Sequence, residues 1–320
     1  MLEFFRGRAT GEKTRAVHRR RGEKPDMITT KRMKTSVFSL ISIFFVGFPA
    51  AAQEKPQPVD QSRLPIILEK TAEYCEKLMG MALNFVCLET IRETEYILKE
   101  KRAAKLYPGS RITSIKEGGD FLLAGTRKNT LVYDFQLIKK GGDFKEKRTL
   151  LEENGRKKNE ENVDLKTMRM SSKFLVYGPV GFLSRSWQAH FTYEILGPDT
   201  VGKRPARVLR ASPRALMDEN FNFGKIWVDE KDSSILRIEW EPQSISDFQP
   251  LFQSGIGEVK RTISWVVTYN VEKNGVRFPG QQTIREVYLT PVGRSHAKYL
   301  AEYTYDRFRF FTVETEVKIK

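Results

Sequence analysis

The stretch GKIWVDEKDSSILRIEW, residues 224–240, decides the fold class. Apolar and polar side chains alternate on both sides of the turn Lys231-Asp232-Ser233, and this period of two predicts a β-hairpin. The inward face of that hairpin is predicted to consist of Ile226, Val228, Leu236, Ile238 and Trp240. Trp227 falls on the opposite face, among charged side chains, where an indole needs a covering segment.

Runs of the same kind continue from Asn84 to near the end of the chain, rich in β-branched and aromatic residues and separated by polar or glycine-bearing turns. Asn274-Gly275 between two runs is a strong hairpin signal, and Gly197-Pro198-Asp199 is interpreted as another turn. The pattern therefore predicts an antiparallel meander. Its predicted strands are 85–98, 130–138, 146–153, 190–196, 206–211, 224–230, 234–240, 262–271, 276–289 and 298–317.

Three segments depart from the strand pattern. Apolar residues recur at helical spacing over 64–79, so this segment is predicted to be an N-terminal helix. Residues 154–173 are charged, with a short helix expected near 161–170. Residues 174–189, FLVYGPVGFLSRSWQA, are apolar and glycine-punctuated. They are predicted to form a loop and short helix that either plugs one end of the sheet or lines a ligand cavity.

The N-terminal region has the order of a secretory signal peptide. Basic residues precede the apolar run VFSLISIFFVGF (37–48), and small residues follow it. We expect residues 1–32 to be a non-native extension, 33–52 the signal peptide, 53–62 a flexible leader from a mature start at Gln53, and 63–320 one half-barrel domain. Residues 1–35 hold a net +7 of the chain's +15, so the exported chain is only mildly basic. Peripheral contact with an anionic membrane surface fits that charge.

Cys75 and Cys87, the two cysteines, lie in the one stretch AEYCEKLMGMALNFVC. On one continuous helix they would be about 18 Å apart, too far for a disulfide. A helix that ends near Gly80 and turns back into a strand brings them together. Because export favours oxidation, a Cys75–Cys87 disulfide is expected, with two unpaired buried thiols as the alternative.

Few residues of the chain are suited to catalysis or to metal binding. Only His190 and His296 follow the signal peptide, and neither has ligands at metal-binding spacing. No nucleophile elbow or phosphate loop is present, and paired carboxylates such as Glu152-Glu153 lie in charged loops. We expect no enzyme, catalytic residue, metal or cofactor. The alternating arginines and aromatics at 305–311 suit an amphipathic last strand better than a nucleic-acid surface.

The order of signal peptide, helix and meander resembles the bacterial periplasmic lipoprotein-carrier superfamily, which includes lipoprotein-sorting and envelope stress-sensor domains. The likeness is carried by three segments: LEKTAEYCEKLMGMALNFVCLET, the hairpin 224–240, and KNGVRFPGQQTI with an "NG-x-x-FP" strand entry. The chain is also similar to uncharacterised secreted proteins of soil bacteria. The resemblance implies an α+β fold: a strongly curved antiparallel sheet, or incomplete β-barrel, with an N-terminal helix and a loop or short-helix lid.

This resemblance leads to two hypotheses for function. The first is non-covalent binding of a lipid, a lipoprotein acyl chain or another apolar ligand in the half-barrel. The second is an envelope interaction or sensor domain that docks protein on the same sheet; a hydrolase is the third. Aromatic and apolar residues that could line the cavity are Tyr133, Phe182, Leu183, Trp187, Trp227 and Trp265. Trp227 is predicted to lie against the N-terminal helix or the 174–189 loop.

Overall fold

The computed structural model describes residues 59–80, 84–100, 120–140, 143–169, 176, 178–214, 222–245, 251–254 and 257–311. The predicted extension 1–32, signal peptide 33–52 and mature start Gln53 lie outside the described residues. Within the described part, no helix is both long and apolar enough to cross a membrane.

The helices are α1 Leu64–Gly80, α2 Val180–Leu183 and α3 Arg185–Gln188, with a 3-10 turn at Pro242–Ser244. The first strands are β1 Asn84–Glu100, β2 Phe121–Lys140, β3 Asp143–Glu153, β4 Arg156–Glu160, β5 Phe191–Val201, β6 Arg204–Pro213 and β7 Gly224–Asp229. The remaining strands are β8 Ile235–Trp240, β9 Leu251–Ser254, β10 Gly257–Thr268, β11 Val271–Lys273, β12 Val276–Phe278, β13 Gln281–Leu289 and β14 Ser295–Phe311.

One twelve-stranded antiparallel sheet dominates the fold. Its order is β4-β3-β2-β1-β14-β13-β10-β8-β7-β6-β5, with β9 paired to β10 beside this path, while β11 and β12 form a separate hairpin. The first strand pairs with the last, so two meanders meet at the β1–β14 seam. The end strands β4 and β5 are not paired with each other among the described residues. The predicted α+β class with an open, curved antiparallel sheet is confirmed.

Local sequence signals explain most of the turns. Asn274 and Gly275 both adopt positive φ in the β11–β12 turn, as predicted. Asn154 and Gly155 do the same between β3 and β4, a hairpin that the sequence prediction missed despite its Asn-Gly. The helix expected near 161–170 is wrong over 161–169, which are irregular. The turn expected at 197–199 is also wrong, because β5 continues through it with a bulge near Gly197.

One face of the sheet carries the main core, and we call it the inner face. Helix α1 packs there through Tyr74, Cys75 and Leu78, all buried. The leader joins the fold at the edge strand: the Gln61 side chain accepts from Ile195 N at 2.8 Å and donates to Ile195 O at 2.9 Å. The side-chain amide of Gln61 thus pairs with β5 as the backbone of a neighbouring strand would. The end of the leader, which was expected to be flexible, is therefore attached to the sheet edge.

A register shift corrects the predicted faces of the 224–240 hairpin. Trp227 pairs with Arg237 but Val228 pairs with Ile235, so β8 contributes an extra residue at this bulge. A one-residue slip exchanges the faces of a strand. Ile235 therefore enters the main core, and Leu236, predicted to face inward, lies in a separate outer cluster with Trp227.

A second bulge sets the end of β14. Leu88 pairs with Asp306 and Val86 with Arg309, which leaves Arg307 as the extra residue, with φ of 55°. The slip turns Phe308 and Phe310 toward Phe85 on the inner face, with ring centroids at 5.3 and 5.9 Å. Arg307 and Arg309 are exposed, so the interpretation of an amphipathic last strand is confirmed.

Candidate functional site

The lid, residues 178–190, covers one half of the inner face. Its two short helices bury Phe182, Leu183 and Trp187 against the sheet. Phe182 stacks on Trp240 with ring centroids 4.9 Å apart, and Trp240 lies 5.5 Å from Trp265. The lid and the sheet therefore share one aromatic stack, to which the lid contributes Phe182.

Exposed polar contacts attach the lid to α1. The Arg185 guanidinium donates to Glu69 at 2.6 and 2.8 Å and to Glu76 at 2.7 Å. All three side chains are more than half exposed, and such exposed pairs each contribute only about 0–1 kcal/mol. The hydrogen bond from Arg185 lowers the pKa of the Glu69 carboxyl. Gln188 Nε2 adds a bond to Leu68 O at 2.7 Å.

Two buried indoles lie beneath the lid without acceptors. Trp240 on β8 and Trp265 on β10 are directly opposite each other and are 7% and 8% exposed. Neither Nε1 atom has a hydrogen-bond partner among the described residues. An unsatisfied buried donor costs about 1–3 kcal/mol of folding stability. Packing alone does not explain why the fold buries these two N–H groups. We call Trp240 and Trp265 the indole pair.

The strap, residues 161–169, crosses the other half of the inner face, where carboxylates are buried. Glu89, fully buried, accepts from Arg148 Nε at 2.6 Å. The charge of Glu89 raises the pKa of the Arg148 guanidinium against the opposing effect of burial. The Arg148 guanidinium also lies over the Phe135 ring at 4.5 Å. The Glu89–Arg148 ion pair is therefore reinforced by the packing of the guanidinium on an aromatic ring.

Glu93 ties the strap to the sheet. Its carboxylate accepts from Met168 N of the strap at 2.9 Å, from Asn129 Nδ2 at 3.0 Å and from the Tyr299 hydroxyl. Burial and this hydrogen bond raise the pKa of Tyr299. A further strap amide, Lys166 N, donates to the Tyr133 hydroxyl at 3.1 Å.

Glu286 completes the buried carboxylates of this half. It accepts from Arg261 Nε at 2.7 Å and from Arg169 of the strap. Each buried glutamate beneath the strap is thus paired with a donor, which is what burial of a charge requires. The sequence carried a signal for two of them, because Glu89 and Glu93 share the alternation of the apolar residues Phe85 and Ile91.

The structure distributes the six predicted cavity residues over three places. Phe182, Leu183 and Trp187 belong to the lid, and Trp265 lies beneath it. Tyr133 lies beneath the strap. All six are at least nine-tenths buried. Trp240, which completes the stack, was predicted to face inward but was not among these candidates.

Trp227, the sixth, lies on the outer face with Ala206, Val208 and Leu236. The prediction that it contacts α1 or the 174–189 loop was therefore wrong, because strands β6 and β8 cover it themselves. Its Nε1 donates to Asp199 at 2.7 Å, and the Arg237 guanidinium lies 4.4 Å from its ring. The indole N–H of Trp227 therefore has its hydrogen-bond acceptor, and the side chain has a structural role.

Two cavities are lined by other residues. One, of about 550 Å³, lies at the β1–β14 bulge and is lined by Val86, Cys87, Leu88, Asp134, Leu151, Arg307, Phe308 and Arg309. The other, of about 240 Å³, lies where the strap meets β3 and is lined by Glu146, Lys147, Arg148, Asn162, Val163, Asp164 and Leu165. None of the six predicted residues contributes to either cavity.

Cys75 and Cys87 are both buried free thiols. The expected Cys75–Cys87 disulfide is thus absent and the alternative of two unpaired thiols holds, because Cys75 Sγ points to Pro179 O at the start of the lid, 3.6 Å away. Burial raises the pKa of both thiols. Within the described residues, no group of three or more His, Cys, Asp or Glu is arranged to hold a metal ion.

Comparisons with known proteins give matches to solved structures. No family model matches the chain, and no curated protein matches it. The chain is similar to an outer membrane lipoprotein-sorting protein domain from Vibrio parahaemolyticus, with 11% identity, a TM-score of 0.37, and coverage of 78% of this chain and 94% of that one.

Two further structures are similar at lower scores. A LolA superfamily protein from Nitrosomonas europaea has 9% identity, a TM-score of 0.29, and coverage of 79% and 97%. The MucA/MucB complex of Pseudomonas aeruginosa has 10% identity, a TM-score of 0.20, and coverage of 78% and 99%.

Proposed function

We propose that this chain is an exported envelope protein that binds an apolar ligand non-covalently on the inner face, in the space that the lid fills. An acyl chain of a lipid or lipoprotein is the ligand class that this half of the face suits. Export rests on the predicted signal peptide 33–52.

The observation that carries the proposal is the aromatic stack between lid and sheet. Phe182 of the lid, rather than a sheet residue, covers Trp240, and the ion pairs between the lid and α1 are exposed. An acyl chain that displaces Phe182, Leu183 and Trp187 replaces one apolar contact with another. Each CH₂ that it buries contributes about 0.8 kcal/mol, so a long chain offsets the loss of the lid's contacts.

The strap half of the inner face has the opposite character. Its buried carboxylates are paired with Arg148, Tyr299 and Arg261 of the sheet. Displacing the strap would remove two further donors, Met168 N from Glu93 and Arg169 from Glu286, and a hydrogen bond to a charged group contributes about 1.5–3 kcal/mol. We therefore assign binding to the lid half and a structural role to the strap half.

Native mass spectrometry of the protein purified from its own envelope tests this function. We expect a retained adduct with the mass of an acyl lipid, lost after delipidation and regained on incubation with a dodecanoyl lysophospholipid. A Phe182→Ala variant should still bind, because Phe182 belongs to the lid that the ligand displaces. Absence of any adduct from native and reconstituted protein would overturn the proposal.

A further inference from the structure

The indole pair supplies an observation that hydrophobic binding alone leaves unexplained. An indole N–H is a donor only and cannot satisfy itself by accepting a bond. Buried donors almost always have partners, yet Trp240 Nε1 and Trp265 Nε1 have none among the described residues. Two such donors occur on one cross-strand pair, beneath a segment that the proposed function requires to move.

The position of the pair relates these donors to the lid. Trp240 is in direct ring contact with Phe182 on one side and with Trp265 on the other. Departure of the lid would therefore uncover Trp240 first and give access to Trp265 beside it. By contrast, the N–H of Trp227 on the outer face is bonded to Asp199 at 2.7 Å. The fold thus provides an acceptor for the structural indole, whereas the described residues provide none for the pair.

The chemistry of the missing acceptor follows from the surroundings. The ring neighbours of the pair are Phe182 and the two indoles themselves, all uncharged. The pair belongs to the apolar core cluster, where an ionised carboxylate would lose its hydration at a high cost in free energy. A neutral carbonyl oxygen has two lone pairs and no charge to desolvate, so it suits indole N–H donors in an apolar setting.

We propose that the ligand carries a neutral carbonyl at the head of its apolar chain, as in an acyl ester or amide, and that Trp240 and Trp265 donate to it. This inference rests on the proposed function and narrows its ligand class. A free hydrocarbon chain satisfies the apolar surface but not the donors, and an ether oxygen is a weaker acceptor than a carbonyl, so the indole pair acts as the specificity determinant of the site.

A matched pair of ligands tests the inference. Dodecanoyl lysophosphatidylcholine and the corresponding dodecyl ether share chain length and headgroup and differ only at the carbonyl. Isothermal titration of the full exported chain below the micelle concentration should give roughly tenfold tighter binding of the ester. Trp240→Phe and Trp265→Phe should each weaken ester binding by roughly fivefold and leave ether binding unchanged, because each removes one N–H and keeps an aromatic ring.

Trp227→Phe is the control variant, since it makes the same chemical change on the outer face. It should alter the affinity of neither ligand, and circular dichroism should show that all three variants are folded. Equal affinity for ester and ether, with the phenylalanine variants unchanged, would overturn this inference and leave the proposed function standing. Binding of neither ligand by the wild-type chain would overturn both.

Discussion

The two halves of the inner face differ in how their buried polar groups are satisfied. Beneath the strap, Glu89, Glu93 and Glu286 are all paired, and two strap amides, Met168 N and Lys166 N, donate to side chains of the sheet. Beneath the lid, two indole N–H groups have no acceptor among the described residues. The lid's amides donate locally, as Leu183 N does to Pro179 O, although lid carbonyls accept from the Tyr193 hydroxyl and the Cys75 thiol.

This difference separates a fixed region from a replaceable one. Removing the strap takes away Met168 N and Arg169, which donate to buried carboxylates, whereas removing the lid mainly exchanges apolar contacts that a ligand can supply again. Both covers are short segments over the same sheet, so the chemistry of what they cover decides which one can move. The experiments below test this distinction, in order of decreasing expected effect.

Loss of the buried cation beneath the strap should have the largest effect. Arg148→Ala leaves Glu89 buried without its partner and should lower the free energy of unfolding by about 3–5 kcal/mol. Urea denaturation measures the change. Arg210→Ala, which breaks the exposed 3.4 Å pair with Glu194, is the control and should cost about 1 kcal/mol or less. Similar losses in the two variants would refute a structural role for the buried pair.

Removal of one hydroxyl beneath the strap should have a smaller effect. Tyr299→Phe deletes one of three bonds to Glu93 and should lower the free energy of unfolding by about 1.5–3 kcal/mol, the range for bonds to charged groups. The same urea titration applies. A variant as stable as the wild type would mean that Glu93 does not depend on Tyr299.

The stability of this half should fall at alkaline pH. Burial raises the pKa of Tyr305 well above its ordinary value near 10. Above about pH 10 the unfolded chain releases this proton while the folded chain retains it. The contribution of Tyr305 to the unfolding free energy is therefore constant below that pH and falls above it. Tyr305→Phe should reduce the slope by about 1.4 kcal/mol per pH unit. Identical slopes for variant and wild type would contradict burial of this hydroxyl.

The smallest effect is expected at the lid. Arg185→Gln removes the ion pairs to Glu69 and Glu76 and should lower the unfolding free energy by less than about 1 kcal/mol, because these pairs are exposed. Binding of the dodecanoyl lysophospholipid should stay the same or tighten, since a looser lid is displaced more easily. A loss of binding would show that the closed lid is part of the bound state.

The sequence predicted the features that depend on local periodicity. Helix α1, most strands and the Asn274-Gly275 turn followed from spacing and turn chemistry. The β1–β14 seam was not predicted, because strand pairing over such a separation leaves no local signal. The bulges at Leu236 and Arg307 were missed since a strict period of two cannot express an inserted residue.

The candidate site was predicted in part. Trp265 and the lid residues Phe182, Leu183 and Trp187 were predicted to line a cavity; they belong to one core cluster, and their role as cavity lining stays a prediction. Trp227 was grouped with them because an indole on the charged face was expected to need a covering segment, whereas Ala206, Val208 and Leu236 of its own sheet pack around it. That the described residues offer no acceptor to Trp240 and Trp265 depends on three-dimensional packing, which no spacing reveals.

Amide hydrogen exchange tests the distinction between lid and strap most directly. Measured by mass spectrometry in the ligand-free chain, the amides of residues 178–190 should exchange through an opening far less costly than global unfolding, while Met168 and Lys166 should exchange only with the core. Addition of the dodecanoyl lysophospholipid should change exchange in the lid and leave the strap unaffected. Lid amides protected as strongly as those of the strap, and unchanged by ligand, would contradict the account.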